Sequence, residues 1–185
     1  AKIVAEAWYY AVDTPFSRLS FKAFTCIPLQ LLSLHPVVNV YMTSGTLTKR
    51  ELRIFRHQID LPSVGLQGQE KIKNAKILLV GAGGRGSAAL QNLAAAGTGM
   101  IGICDNRIVE EVSLPRQSLY GHGDLGKQKA IIARQKILEN NPLIQLEVHN
   151  IYISETNIGP NLDRYDLIVD ATSVHSTHVC IDKAA

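Results

Sequence analysis

Cysteine is scarce in this chain of 185 residues: Cys26, Cys104 and Cys180 lie far apart and no two form a C-x-x-C pair. That spacing excludes a disulfide framework and a zinc site within the stretch, and it suits a reducing cytoplasm. Blocks of positive charge are missing as well. The formal charge is +3 and no run of Lys or Arg exceeds two residues, which leaves no electrostatic case for nucleic acid or an anionic membrane. Long apolar runs are lacking too. The greasiest early segment, Ile27 to Leu34, is too short to span a bilayer and is interrupted by Pro28, with Pro36 just beyond, so no membrane helix is expected. It also lacks the length and the small-residue cleavage site of a signal peptide.

What is present reads as globular. With 46% of residues apolar and 19% charged, the chain can bury one core and an appendage, but hardly two full domains. The first methionine is Met42, and the aromatic, proline and apolar residues before it follow neither a helical nor an alternating period. Residues 1–41 are therefore expected to be an N-terminal extension of uncertain structure, and 42–185 the first part of a nucleotide-binding domain.

From Ala75 the pattern becomes alternating. Lys76 to Val80 is an uninterrupted β-prone run of the kind buried on both faces of a parallel sheet. A glycine-rich turn follows, then Ser87 to Ala96, which reads as a helix stopped by Gly97. Met100 to Cys104 is a second short strand ending on Asp105. Residues 106 to 125 form a polar connection, longer than loops usually are unless they line a site. Lys127 to Leu138 has helical spacing, and Ile144 to Ile153 and Leu167 to Val169 supply two more strands. Upstream, Leu47 to Phe55 is helix-like. This order predicts an α/β fold: a Rossmann-like open, mainly parallel sheet flanked by helices, cut off after about its fourth strand, with ligand at the carboxyl ends of the strands.

Gly81-Ala82-Gly83-Gly84-Arg85-Gly86 sits directly after a strand and before a helix, the context that gives a G-x-G-x-x-G match its meaning. Gly81 and Gly83 allow a tight turn and close approach to a phosphate, Gly86 allows close helix packing, and the helix start offers unpaired N–H groups to an anion. Asp105 is placed to accept hydrogen bonds from ribose hydroxyls. These features alone fit a dinucleotide such as NAD. Arg116-Gln117 and Lys129, in and after the long connection, together with Arg56-His57 upstream, fit phosphate chemistry better, because bringing two anions together at phosphorus requires fixed cations. Any one of these cations taken singly reads as a solvated surface charge.

The lead-in Gln58-Ile59-Asp60-Leu61-Pro62 with Gly65, Gly68-Gln69 and Ile72-Lys73-Asn74-Ala75-Lys76 runs into that glycine turn. With Asp105, Arg116-Gln117, Gly126, Lys129 and Asp170-Ala171-Thr172, it resembles the MoeB/ThiF/HesA family, relatives of the ubiquitin-activating enzymes. The resemblance covers about residues 51 to 183. It implies that ATP is bound by Gly81, Gly83, Gly84 and Gly86 at the phosphates and by Asp105 at the ribose, with Arg116 and Lys129 contacting the phosphates and Gln117 also in the nucleotide site. It further implies adenylation of the C-terminal carboxylate of a small ubiquitin-like or sulfur-carrier protein by a cytoplasmic homodimer. In the family an N-terminal arginine serves the partner's site; His57 falls at that position, and Arg56 would serve after a shift of one.

Several charged positions depart from the family pattern. Arg107 stands where a second acid is usual, Ser113 where asparagine is usual, and Ser173 and Val174 where the magnesium acid and a following asparagine are usual. Since a hydroxyl is a far weaker Mg2+ ligand than a carboxylate, no metal ligand is assigned. Asp170 is the acid left to recruit for a metal, although the pattern makes it the strand-end residue. His175 and His178, three apart, and Cys180 read as surface or packing residues. Two other readings stand beside the enzyme: a non-catalytic nucleotide-binding subunit acting as a dimer partner, motivated by Ser173 and Arg107, and an NAD-dependent oxidoreductase, motivated by the glycine turn alone.

Overall fold

The computed structural model describes residues 3–6, 47–159 and 163–184. They fall into two compact units, one formed by Trp8–Lys71 and the other by Ala1–Ala7 with Ile72–Ala185.

In the first unit, α1 (Lys49–Ile54) begins with a capping box: Thr48 Oγ1 accepts from the Glu51 N–H at 3.3 Å while the Thr48 N–H donates to Glu51 Oε2 at 2.8 Å. Two otherwise unpaired backbone donors are satisfied reciprocally, which fixes the start of the helix. The one-turn α2 (Arg56–Ile59) follows, and α3 (Gly65–Asn74) leads into the second unit.

The second unit holds a five-stranded, wholly parallel sheet. Its strands are β1 (Ile3–Glu6), β2 (Lys76–Val80), β3 (Met100–Cys104), β4 (Gln145–His149) and β5 (Leu167–Asp170), in the order β1-β5-β2-β3-β4. The helices are α4 (Gly84–Ala95), α5 (Lys129–Asn140) and α6 (His175–Ala184). The four strands and the intervening helices follow the expected alternation, with shifted ends. Helix α4 starts inside the glycine turn instead of at Ser87, and β4 ends at His149 instead of running on to Ile153. Strand β1 was not legible as a period; it pairs with β5 in the register Ile3 to Leu167 and Glu6 to Asp170. The rest of the 1–41 stretch, Cys26 included, lies outside the described residues.

The strand period of two explains the two cores. Ile77 and Leu79 of β2 and Ile101 and Ile103 of β3 face one layer with Leu90, Ala133 and Ile137. Leu78 and Val80, with Met100 and Cys104, face the other with Ile168, Cys180 and Ile181. A sheet covered on both faces needs apolar residues at consecutive positions, hence the unbroken run Ile77 to Val80. At Gly102 the second layer comes very close: a Cβ there would lie 2.2 Å from the Tyr165 hydroxyl. Among the described residues no helix is long and apolar enough to cross a membrane.

Candidate nucleotide site

The carboxyl end of β2 turns at Gly81, whose φ of +94° is a conformation that a side chain strains. Its N–H donates to the Cys104 carbonyl at 2.8 Å, tying the turn to β3. Crowding at this turn explains two further glycines. A Cβ on Gly86 would fall 1.7 Å from the Gly81 carbonyl oxygen, and one on Gly84 would fall 2.8 Å from the Arg116 carbonyl oxygen. The helix start and the long connection are thus pressed against the turn. Gly83 is looser; its nearest neighbour for a Cβ is Arg107 Nη2 at 3.7 Å.

Asp105 is buried and its carboxylate is fully engaged. Oδ2 accepts from the Ala82 N–H at 2.8 Å and from Arg107 Nη2 at 3.2 Å. Oδ1 accepts from the Arg107 backbone N–H at 2.8 Å and from Arg107 Nε at 3.3 Å. A carboxylate offers about four lone-pair directions, so these N–H groups leave none for a ribose hydroxyl while the Arg107 guanidinium stays in place. The sequence flags Arg107 as a departure, but its pairing with Asp105 depends on how the chain turns after β3.

Lys129 opens α5, and its backbone N–H donates to the Arg107 carbonyl at 2.9 Å. The residue is only 2% exposed, and among the described residues its ammonium makes no hydrogen bond or ion pair. Burial first, and then the adjacent Arg107 charge, hold that ammonium below the usual lysine range; Asp105 and Glu110 pull the other way, and Arg116 lowers it further. Arg107, Arg116 and Lys129 therefore bring positive charge to the same mouth. Gln117 is buried beside them, its Oε1 without a hydrogen-bond partner among the described residues.

The other sequence candidates are placed differently. Arg56 and His57 are exposed on α2 in the first unit, with Arg56 Nε 3.7 Å from Asp60. Ser173 is exposed just past β5. Asp170 is not a spare ligand: Oδ1 accepts from the Thr172 N–H and Oγ1, each at 2.9 Å, and Oδ2 pairs with His178 Nδ1. His178 is therefore a structural partner of the strand-end acid, a pairing that the i, i+3 spacing to His175 did not foreshadow. Cys180 is buried in the second core layer and burial raises its thiol pKa, as a packing role requires. Cys104 is pushed up to about 12 by burial and by the Asp105 charge.

Tyr120 was missed by sequence reasoning. Its hydroxyl donates to the Ala82 carbonyl at 2.7 Å from inside the core and approaches the Lys129 carbonyl at 3.4 Å. It joins the glycine turn, the long connection and α5; burial raises its pKa. A lone tyrosine in a polar loop gives no local signal of that reach. A cleft opens beside the turn, walled by Asp105, Asn106, Arg107, Tyr152, Thr172 and Val174, at the carboxyl ends of the strands as the fold class predicts.

Residues 55–185 match the ThiF family. The chain is 40% identical over 138 residues to the sulfur carrier protein adenylyltransferase of Thermus thermophilus, covering 75% of this chain and 51% of that one. It is 38% identical over 153 residues to the probable adenylyltransferase/sulfurtransferase MoeZ of Mycobacterium tuberculosis, covering 83% and 38%. The chain thus spans between about two fifths and half of the length of these relatives. The crystal structure of Escherichia coli tRNA N6-threonylcarbamoyladenosine dehydratase, TcdA, in complex with AMP aligns with a TM-score of 0.68 at 25% identity, covering 74% of this chain and 55% of that one. Glycine turn, strand-end acid and buried lysine together with these likenesses establish that the chain belongs to the ThiF family.

Proposed function

We propose that the chain binds ATP on the Gly81–Gly86 turn and is the nucleotide-binding part, spanning residues 42–185, of an enzyme that adenylates the C-terminal carboxylate of a small ubiquitin-like or sulfur-carrier protein. The observation that carries this reading is Lys129. The residue is only 2% exposed and its ammonium makes no ion pair among the described residues, a costly setting for a charge, and Tyr120 links its backbone to Ala82 in a turn built to face an anion. A phosphate chain supplies the missing countercharge. The Thermus thermophilus relative, a sulfur carrier protein adenylyltransferase, supports the carrier as substrate.

In the reaction so proposed, a carboxylate oxygen attacks the α-phosphorus, the bond to the bridging oxygen breaks, and pyrophosphate leaves with the electron pair. No side-chain nucleophile is needed. Gly81, Gly83, Gly84 and Gly86 present backbone to the phosphates. Arg116, exposed and beside Gly84, and Lys129 offset the charge that grows at phosphorus, with Gln117 close by. Asp105 takes the ribose once Arg107 releases it. The family resemblance assigns Arg56 or His57 to the site of a dimer partner, so a cytoplasmic homodimer is part of the proposal. The test is calorimetry and pyrophosphate exchange on a chain extended to the length of its relatives, with its carrier present. Wild type binds ATP in preference to NAD and exchanges pyrophosphate; Lys129→Met lowers ATP affinity by about tenfold or more without lowering the melting temperature. Equal binding of ATP by Lys129→Met would refute the assignment.

The Arg107 pairing favours one second reading, a non-catalytic nucleotide-binding subunit. Tight ATP binding without pyrophosphate exchange by the extended chain and its carrier would select it.

A further inference from the structure

Magnesium is the usual companion of ATP, and it is held by one or two carboxylates together with phosphate oxygens. The acids at the strand ends do not offer them. Asp105 is filled by four N–H groups from Ala82 and Arg107. Asp170, with its side chain 1% exposed, is filled by Thr172 and His178. Asp124 accepts from the Gly121 N–H at 2.8 Å and pairs with Lys136. Ser173, past the end of β5, contributes a neutral hydroxyl. No group of three His, Cys, Asp or Glu among the described residues could hold a metal ion. Glu110, near Lys129, and its neighbour Glu111 are exposed and make no ion pair among the described residues.

What the mouth does offer is a movable cation. The Arg107 side chain is 51% exposed, and its Nη2 lies both on Asp105 and beside Gly83. Only its guanidinium contacts would be given up in a swing toward the glycine turn, because the backbone N–H of Arg107 and that of Ala82 hold Asp105 independently. The two acceptor directions so vacated match the two hydroxyls of a ribose. One rotation would then serve both ends of the nucleotide, and a planar guanidinium suits phosphate oxygens bidentately.

Resting on the ATP reading above, we propose that this chain binds its nucleotide without a divalent cation, the Arg107 guanidinium leaving Asp105 to neutralise the phosphates in the place of magnesium. Arg107 is thereby a specificity-determining residue: it favours polyphosphates over the bare nucleoside, which must compete with it for Asp105.

Calorimetry on the full chain with ATP, AMP and adenosine, in EDTA and in magnesium chloride, tests this directly. For wild type the ATP affinity in EDTA stays within about threefold of that in magnesium, a change below 1 kcal/mol. Arg107→Gln weakens ATP in EDTA by about tenfold, as loss of a charge-assisted bond implies, but leaves adenosine binding unchanged or tighter, because Asp105 is freed. Arg107→Lys restores most of the ATP affinity. A merely structural Arg107 would instead weaken ATP and adenosine together, and that result overturns the proposal. Tenfold or greater weakening of wild type by EDTA, reversed by magnesium, also overturns it; if Glu110→Gln abolishes that dependence, the ion sits on Glu110. No heat with ATP in either buffer refutes the ATP reading itself, and this inference with it.

Discussion

Gly86→Ala is the sharpest probe of the glycine turn. The added Cβ would lie 1.7 Å from the Gly81 carbonyl oxygen, 2.7 Å from the Gly81 carbonyl carbon and 3.4 Å from Ala171 Cβ. Comfortable contact between carbon atoms is about 3.5 Å, so the turn or the helix must retreat by more than about 1 Å. The obstacle is backbone, which cannot rotate aside as a side chain can, and Gly81 is itself tied to Cys104 on β3. Overpacking costs about 1–3 kcal/mol, and this geometry belongs at the upper end. Alanine recovers about 1 kcal/mol in helix propensity, which leaves a net loss of about 2 kcal/mol. For a chain of this size that lowers Tm by about 4–8 °C. The displaced turn also loses its alignment with the helix start, so ATP affinity falls in the same variant. Gly123→Ala is the control, because a Cβ there meets nothing within 4 Å and stability should change by less than about 0.5 kcal/mol. Scanning calorimetry and ATP titration of the two proteins side by side decide the matter: a Gly86→Ala variant that melts and binds like Gly123→Ala would refute the close-packing account.

Tyr120→Phe removes the donor to the Ala82 carbonyl and should cost about 1 kcal/mol, with a loss of ATP affinity that chemical denaturation and calorimetry measure separately. In a Cys26→Ser background, Cys104 and Cys180 should resist thiol reagents at pH about 8 until the protein unfolds, since burial raises both thiols and exposure is needed for attack; reaction faster than unfolding would contradict their packing. His149, whose ring nitrogen lies 2.7 Å from the Tyr165 hydroxyl, has its pKa held below 6.5 by burial. The unfolded chain therefore binds more protons just below pH 6.5, so stability is full above that value and falls as pH drops toward the lowered folded-state pKa, by at most about 1.4 kcal/mol per pH unit. His149→Gln should flatten that part of a pH series of denaturation midpoints; an unchanged slope would show that another group carries it.

Local periods and turn chemistry were legible from the chain alone. An unbroken apolar run at Ile77 to Val80 has no other way to be buried than between two layers, and glycines at Gly81, Gly83 and Gly86 between a strand and a helix mark a backbone that something must approach. Those features placed the turn, Asp105 and Lys129 at one end of a parallel sheet, because strand polarity and crossover connections leave little choice once the alternation is known. Pairings between distant segments were not legible. That Arg107 fills Asp105, that Tyr120 reaches back to Ala82 and that His178 lies on Asp170 depends on how the connections after β3 and β5 descend onto the sheet. Side-chain identity states what a group can bond, and only the assembled layers bring its partner within 3 Å or so. Strand β1 belongs to the same class: a four-residue edge strand draws its pairing from β5 and carries too few residues to show a period of its own.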